Sequence, residues 1–145
     1  MDWGKPYASQ LLSILRIVTA LVFLGHGLQK FIGFPPPGQI PLLNIFGVTA
    51  HMGLLPIQIP ALVIEVVFGF LLLIGLWTRL SAFILSGEMA VAYWYWDFGH
   101  GKSFWPTNNG GDTPILLCFI CLYIFATGAG AWAIDREAAR KGAYA

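Results

Sequence analysis

Three ionisable residues stand inside an apolar stretch near the start of the chain. Arg16, His26 and Lys30 belong to the run RIVTALVFLGHGLQKFIG, residues 16–33, whose other residues suit a membrane-spanning helix. An ionisable group inside a bilayer is costly unless it finds a partner or water. Steps of three and four residues place all three side chains on one helical stripe. This stripe is therefore predicted to face the interior of a helical bundle.

Two later acidic residues lie at matching depths. Glu65 comes about a turn and a half into a second apolar stretch, level with His26 and Lys30, and Glu88 comes about two turns into a third, near the depth of Arg16. We predict an Arg16–Glu88 ion pair that fixes helix packing. We also predict that His26, Lys30 and Glu65 form the functional site, because intramembrane ionisable groups often serve function. The alternative is that this second cluster is only an internal ion pair as well.

Cys118 and Cys121 form a CxxC spacing within the last apolar stretch. On a helix, residues three apart share a face, so a dithiol that exchanges electrons with a quinone or a partner thiol is one interpretation. The other is two small apolar residues of a span. We favour this structural interpretation, since the flanking residues Leu117 and Phe119 supply no charge to activate a thiolate. No metal site is predicted, because the histidines lack a cluster of further ligands.

The composition is that of a membrane protein. Of the 145 residues, 57% are hydrophobic and only 10% charged, and the mean hydropathy is +0.71. A soluble domain has about 25% charged residues. The net charge of +1 gives no footprint for nucleic acid, and two cysteines make no disulfide framework. The lipid bilayer is thus the first partner that the sequence predicts.

Four segments have the length and composition of membrane spans. A span needs about 20 apolar residues, and the predicted spans are 11–32, 60–77, 80–96 and 113–132. The last helix is predicted to end at about Thr127 or, if Gly128 and Gly130 permit, to continue to Trp132. Residues 42–55 are too short to span and are predicted to form an interfacial helix or a re-entrant loop. The predicted fold is a single-domain, all-α integral membrane four-helix bundle covering residues 1–145. Small residues are predicted to let the helices approach closely: Gly25, Gly27, Gly69, Gly75, Ser86 and Gly87.

The basic residues predict an orientation. In a four-span chain, the N-terminus, the turn at 78–79 and the C-terminal tail share one side of the membrane. Lys5, Arg79, Arg136, Arg140 and Lys141 lie on that side. The positive-inside rule then places both termini in the cytoplasm.

Four segments carry a resemblance to a known family. They are RIVTALVFLGHGLQKFIG, ALVIEVVFGFLLLIGLWTRLSA, FWPTNNGGD and GAGAWAID. In this order the chain resembles the DoxX family of small bacterial membrane proteins, four-helix bundles named for a subunit of an archaeal terminal quinol oxidase with thiosulfate:quinone oxidoreductase activity. The resemblance implies a bacterial inner-membrane protein linked to redox metabolism. It carries over as motif positions Arg16, His26, Gly27, Lys30, Glu65 and Gly75, and Asp112 stands where relatives often have Glu.

Two functions follow as expectations. The first is a membrane subunit of a quinone-linked oxidoreductase, with a quinone near His26, Lys30 and Glu65. The chain has no haem, flavin or metal motif, so a redox partner subunit would carry the electrons. We therefore expect an accessory subunit rather than an autonomous enzyme. The second is a non-catalytic scaffold, assembly factor or small-solute transporter, and a homo-oligomer is compatible with either.

Overall fold

The computed structural model describes residues 4–32, 58–99 and 103–136. Within these ranges all regular elements are helical, which confirms the predicted all-α fold. A single 3-10 turn, Lys5–Tyr7, leads into the first helix. The elements that follow are α1 (Ala8–Ile32), α2 (Gln58–Ile74), α3 (Thr78–Ala92), a π-helical turn (Tyr93–Phe98), α4 (Pro106–Asn109) and α5 (Asp112–Thr127).

The four long helices, α1, α2, α3 and α5, occupy the four predicted spans. Among the described residues, the segment Lys5–Leu28 is the one that is both long and apolar enough to cross a membrane by itself. The apolar helices at Ile59–Ile74 and Asp112–Thr127 are shorter than that test requires. The predicted interfacial segment 42–55 lies outside the described residues.

Glycines end two of the long helices. After α2, Gly75 has a φ of +70° and Trp77 a φ of +48°, so the chain turns sharply into α3. After α5, Gly128 has a φ of +94° and Gly130 a φ of +78°. Left-handed backbone is where glycine is favoured over other residues. The fourth helix therefore ends at Thr127, the nearer of its two predicted ends. The segment beyond it returns to α1, where the Ala131 N–H donates to the Ser9 carbonyl (3.1 Å).

The helices pack side by side, α1 against α2, α2 against α3 and α3 against α5. Glycines let α1 and α2 approach each other closely. A Cβ at Gly27 would lie 2.7 Å from Val66 Cγ2, and one at Gly69 would lie 3.3 Å from Phe23 Cβ. The predicted packing role of these two glycines is confirmed. The fully buried side chains of the shared core include Phe23, Leu72, Leu85, Cys121 and Ile124.

Three parts of the chain meet at one end of the bundle, which we call the turn end. They are residues 4–9, the α2–α3 turn at 75–77 and the segment 128–136 that follows α5. The Asp135 carboxylate accepts hydrogen bonds from the Trp77 N–H (2.9 Å) and the Thr78 N–H (2.7 Å). Arg136 Nη1 donates to Ser9 Oγ (3.2 Å). The opposite end, formed by the end of α1, the starts of α2 and α5 and the π-helical turn, is the cavity end.

Candidate functional site

Arg16 lies fully buried at the turn end, and its guanidinium donates to backbone carbonyls. Nη1 donates to the carbonyls of Leu72 and Leu73 (2.6 Å for Leu73), Nε to that of Ala129 (3.0 Å) and Nη2 to that of Trp132. Two of these carbonyls belong to the last turn of α2, where the helix leaves carbonyl groups without intrahelical partners. The other two belong to the segment after α5. Arg16 thus ties that segment to α1 and α2.

This arrangement differs from the predicted Arg16–Glu88 ion pair. The acidic group that acts electrostatically on Arg16 is Asp135. Glu88 lies ten residues into α3, about 15 Å from the turn end along the helix, whereas the Arg16 partners lie beside the turn. The ion pair was predicted wrongly because counting residues gives only an approximate depth in the membrane. It does not give the direction of a long side chain, and it does not show which carbonyls at a helix end are available as acceptors.

The main cavity lies at the cavity end and has a volume of about 640 Å³. All four long helices and the π-helical turn contribute to its wall. Most of the lining is apolar, including Phe23, Ile64, Met89, Val91 and Leu117. Its histidine and acidic lining residues are His26, Glu65, Glu88 and Asp97. The structure therefore brings His26 and Glu65 together in one cavity, adds Glu88 and Asp97, and leaves the side chain of Lys30, on α1, outside the described part of the chain.

His26 is exposed and is held by its own helix. Its Nδ1 lies 2.9 Å from the carbonyl oxygen of Val22. A carbonyl can only accept, so Nδ1 carries the hydrogen, and in the neutral imidazole Nε2 is then an acceptor. The ring has one nitrogen fixed by the backbone and one able to take up a proton.

Glu65 is buried, with 3% of its surface exposed, where α2 crosses α1. Gly27 gives it room: a Cβ at position 27 would lie 3.3 Å from Glu65 Cβ. A larger residue at position 27 would press on both Glu65 and Val66. The glycine next to His26 thus lets the acidic residue of α2 approach α1 at the level of the cavity.

Comparison with known proteins places the chain in a family. The DoxX family model matches residues 11–97. The chain belongs to the DoxX family. It is 40% identical to a protein of Haemophilus influenzae described as uncharacterized, over 94% of this chain and 97% of that protein.

Two further relatives are named as membrane proteins. The inner membrane protein YphA of Escherichia coli is 33% identical, over 88% of this chain and 89% of that protein. An uncharacterized membrane protein of Mycobacterium tuberculosis is 28% identical, over 88% of this chain and 80% of that protein. No solved structure matches the chain. The DoxX family and these names support a membrane location.

The predicted site did not include Asp97, the last residue of the DoxX match. In a continuous α-helix, Asp97 would point away from Glu88 and Ala92, because nine and five residues do not complete whole turns of 3.6 residues. The π-helical turn Tyr93–Phe98 follows an i→i+5 pattern, which brings Asp97 round towards the face of Ala92. Tyr95 and Asp97 both line the cavity as a result. The one sequence feature that could have pointed to Asp97 is its position, as an acidic residue directly after the aromatic run YWYW.

The two cysteines of this DoxX protein are free thiols on α5. Cys121 is fully buried in the core, and Cys118 is half-buried beside α3. Ser86 Oγ donates to the Cys118 carbonyl (3.0 Å) and lies 3.3 Å from Cys118 Sγ. Neither cysteine lines the cavity. This packing agrees with the structural interpretation, and a redox role stays an untested alternative.

The ionisable residues of the described ranges do not form a metal centre. No group of three or more His, Cys, Asp or Glu side chains there is arranged to hold a metal ion.

Proposed function

We propose that this DoxX protein is the membrane subunit of a quinone-linked redox complex, and that its cavity holds the quinone head group. One observation carries the proposal: an apolar space of about 640 Å³ meets His26, Glu65, Glu88 and Asp97 on its wall. Small-molecule sites commonly have volumes of about 300–1,000 Å³, apolar walls and a few polar groups that orient the ligand. A quinone ring has the matching chemistry, with apolar faces and two carbonyl oxygens.

The ionisable groups suit the proton chemistry of that ligand. Reduction of a quinone takes up two electrons and two protons and converts both carbonyls into hydroxyls; oxidation reverses each step. A carboxyl group and an imidazole can each pass one proton to a ligand oxygen within hydrogen-bond reach. Glu65 and Nε2 of His26 are the candidates for this transfer, from α2 and α1 respectively. The electrons would pass to or from a redox carrier on a partner subunit.

A second candidate function rests on the charge of the same wall. Three of the lining residues are acidic, and one is a histidine. A cavity lined by one sign of charge concentrates ligands of the opposite sign. Movement of an amphipathic cation through the membrane is therefore the alternative, and it differs from the first in the charge of the ligand.

A binding experiment separates the two. The purified protein, in lipid nanodiscs, is titrated with a short-tailed ubiquinone or menaquinone analogue, and quenching of its tryptophan fluorescence is recorded. We expect saturable quenching, and Glu65→Gln should weaken binding at least about tenfold, because it replaces the carboxyl group by an amide that cannot exchange a proton with the ligand, at nearly constant volume. Asp112→Asn is the matched control, since Asp112 is exposed and outside the cavity lining.

The outcomes decide between the candidates. Quenching that does not saturate, or that Glu65→Gln leaves unchanged, would contradict the quinone proposal. Saturable binding of tetraphenylphosphonium that Glu65→Gln removes, together with no binding of the quinone analogue, would favour cation transport.

A further inference from the structure

Gly87 lies in the middle of α3 without the usual reason for a glycine there. A Cβ built at Gly87 meets no atom of the described residues within 4 Å. Gly27 and Gly69, by contrast, each stand in tight contact between α1 and α2. The close-packing role predicted for Gly87 is therefore not found in this part of the structure. Glycine is unfavourable inside a helix, so the open space beside Gly87 needs another explanation.

Gly87 stands on the edge of the cavity. A residue that is both lining and exposed marks an opening of the cavity. His26, Tyr95, Gly110 and Thr113 meet this description on the side of α1, the π-helical turn and the start of α5. Pro60 on α2 and Gly87 and Val91 on α3 meet it too, and these three lie on two neighbouring helices that are joined by the tight turn at 75–77, at the far end of the bundle. One side of the opening therefore lies at the unjoined end of the α2–α3 pair.

The surroundings of this opening are apolar. Val63 and Val67 on α2 and Val91 on α3 are exposed hydrophobic residues near its level. Behind it, Glu65 and Glu88 line the cavity. A molecule that passes through the opening would meet apolar side chains first and carboxyl groups last, which is the polarity of an amphipathic molecule entering head first.

We propose that the cavity opens sideways to the bilayer between α2 and α3, and that the ligand's apolar tail lies across Gly87 while its head reaches Glu65 and Glu88. The inference rests on the proposed function for the identity of the head, and it adds the route and the tail. The ligand is an amphipathic molecule dissolved in the membrane, with a long hydrocarbon tail. The missing side chain at position 87 leaves the surface that this tail occupies.

The first experiment fills the opening. Gly87→Leu places a side chain in the open space and improves helix propensity, so the variant should fold. Gly25→Leu is the matched control, because a Cβ at Gly25 also meets nothing within 4 Å among the described residues and Gly25 does not line the cavity. Binding of a decyl-tailed quinone and of the same quinone without a tail is measured by fluorescence quenching in nanodiscs.

We expect Gly87→Leu to weaken binding of the tailed quinone at least about tenfold and that of the tailless quinone by less than about twofold, with Gly25→Leu like the wild type. Glu65→Gln should weaken both quinones, because it changes the head site. Equal effects of Gly87→Leu on both quinones, no effect on either, or an equal effect of Gly25→Leu would each overturn the inference.

The second experiment does not depend on the ligand. In a variant with Cys118 and Cys121 replaced by alanine, a bimane fluorophore is attached at Gly87→Cys, and in separate samples at Phe119→Cys and Ser103→Cys. Lipids brominated on the acyl chain should quench the fluorophore at position 87 about as strongly as at the exposed apolar position 119, and iodide should quench it far less than at position 103. Strong quenching by iodide, or by neither agent, would overturn the sideways opening. If quinone fails to bind while bromolipid still quenches position 87, the proposed function fails and the opening stands.

Discussion

The guanidinium of Arg16 satisfies its hydrogen bonds with backbone carbonyls from two segments far apart in the sequence. Four of its five N–H groups have such an acceptor, at residues 72, 73, 129 and 132. A planar, delocalised cation with a fixed fork of donors can serve several carbonyls at once, which a lysine ammonium cannot do in the same geometry. Arg16 therefore links α1, the end of α2 and the segment after α5.

Replacing Arg16 should destabilise the fold strongly. Arg16→Met keeps an apolar stem but removes all four hydrogen bonds. The Leu72 carbonyl keeps the Gly75 N–H as a donor (3.2 Å), whereas the carbonyls of Leu73, Ala129 and Trp132 lose their described donor, and a buried acceptor left without one costs about 1–3 kcal/mol. We expect a loss of about 3 kcal/mol or more, with Arg16→Lys intermediate, measured as the melting temperature of the purified protein in mild detergent. Arg79→Gln is the control: Arg79 is exposed and donates one described hydrogen bond, to Phe125 (3.1 Å), so its loss should cost no more than about 1 kcal/mol. A wild-type melting temperature for Arg16→Met would refute this role.

The residue types predicted that Arg16 turns inward, whereas His26, on the same predicted stripe, is exposed, and the partners of Arg16 were not predicted. The polar stripe of α1 correctly placed Arg16 in the interior, and the shared level of His26 and Glu65 correctly brought them to one cavity. The carbonyl partners of Arg16 could not be predicted, because every residue has a backbone carbonyl and the residue types do not show which carbonyls lack a partner within their helix. They become visible only where a helix ends.

At the scale of elements, the start of α3 depends on a residue from the other end of the chain. Trp77 has a left-handed backbone, which costs a non-glycine residue energy, and its N–H and that of Thr78 both donate to the Asp135 carboxylate. An acidic side chain there satisfies free N–H groups of the first turn and complements the helix dipole. The segment after α5 is thus fixed twice, by Arg16 and by the start of α3.

Removing this cap should loosen the turn between α2 and α3. Asp135→Ala should cost about 1–2 kcal/mol and speed hydrogen exchange at the amides of Trp77 and Thr78, measured by mass spectrometry in nanodiscs. Asp112→Ala serves as the comparison, because Asp112 lies in the first turn of α5 and is exposed. Its loss should cost about 0.3–1 kcal/mol. Unchanged exchange at 77–78 in Asp135→Ala would show that the cap is unimportant.

Helix positions were more predictable than helix ends and irregular turns. Each long helix is an apolar run interrupted by glycine or proline, so its centre follows from composition alone. The end of α5 at Thr127 depends on the left-handed Gly128, and the π-helical turn at Tyr93–Phe98 has no period in the sequence that distinguishes it from α-helix. Because this turn was predicted as ordinary α-helix, Asp97 was not predicted to belong to the site.

At the scale of the whole molecule, the charged side chains that the structure describes are distributed unevenly between the two ends of the bundle. The turn end gathers Lys5, Arg79 and Arg136, together with the Asp135 cap. The cavity end has the acidic residues Asp97 and Asp112 near its surface. Lysine and arginine near the ends of membrane helices favour the cytoplasmic side, whereas acidic residues have little influence on orientation. This distribution supports a cytoplasmic turn end and a cavity that faces the periplasm.

We predict that cysteines introduced at Ser103 and Ala143 react from opposite sides of the membrane. Ser103 precedes α4 at the cavity end, and Ala143 follows in sequence the segment that closes the turn end. Labelling from opposite sides requires an odd number of spans between these two positions, and α5 is the one that the predicted topology places there. In intact cells of a strain expressing the variant without Cys118 and Cys121, a membrane-impermeant maleimide should label Ser103→Cys and leave Ala143→Cys unlabelled until the cells are permeabilised. Labelling of both positions in intact cells would contradict a cytoplasmic tail. Labelling of Ala143→Cys alone would invert the bundle and place the cavity on the cytoplasmic side, where any protons released from its ligand would enter the cell instead of leaving it.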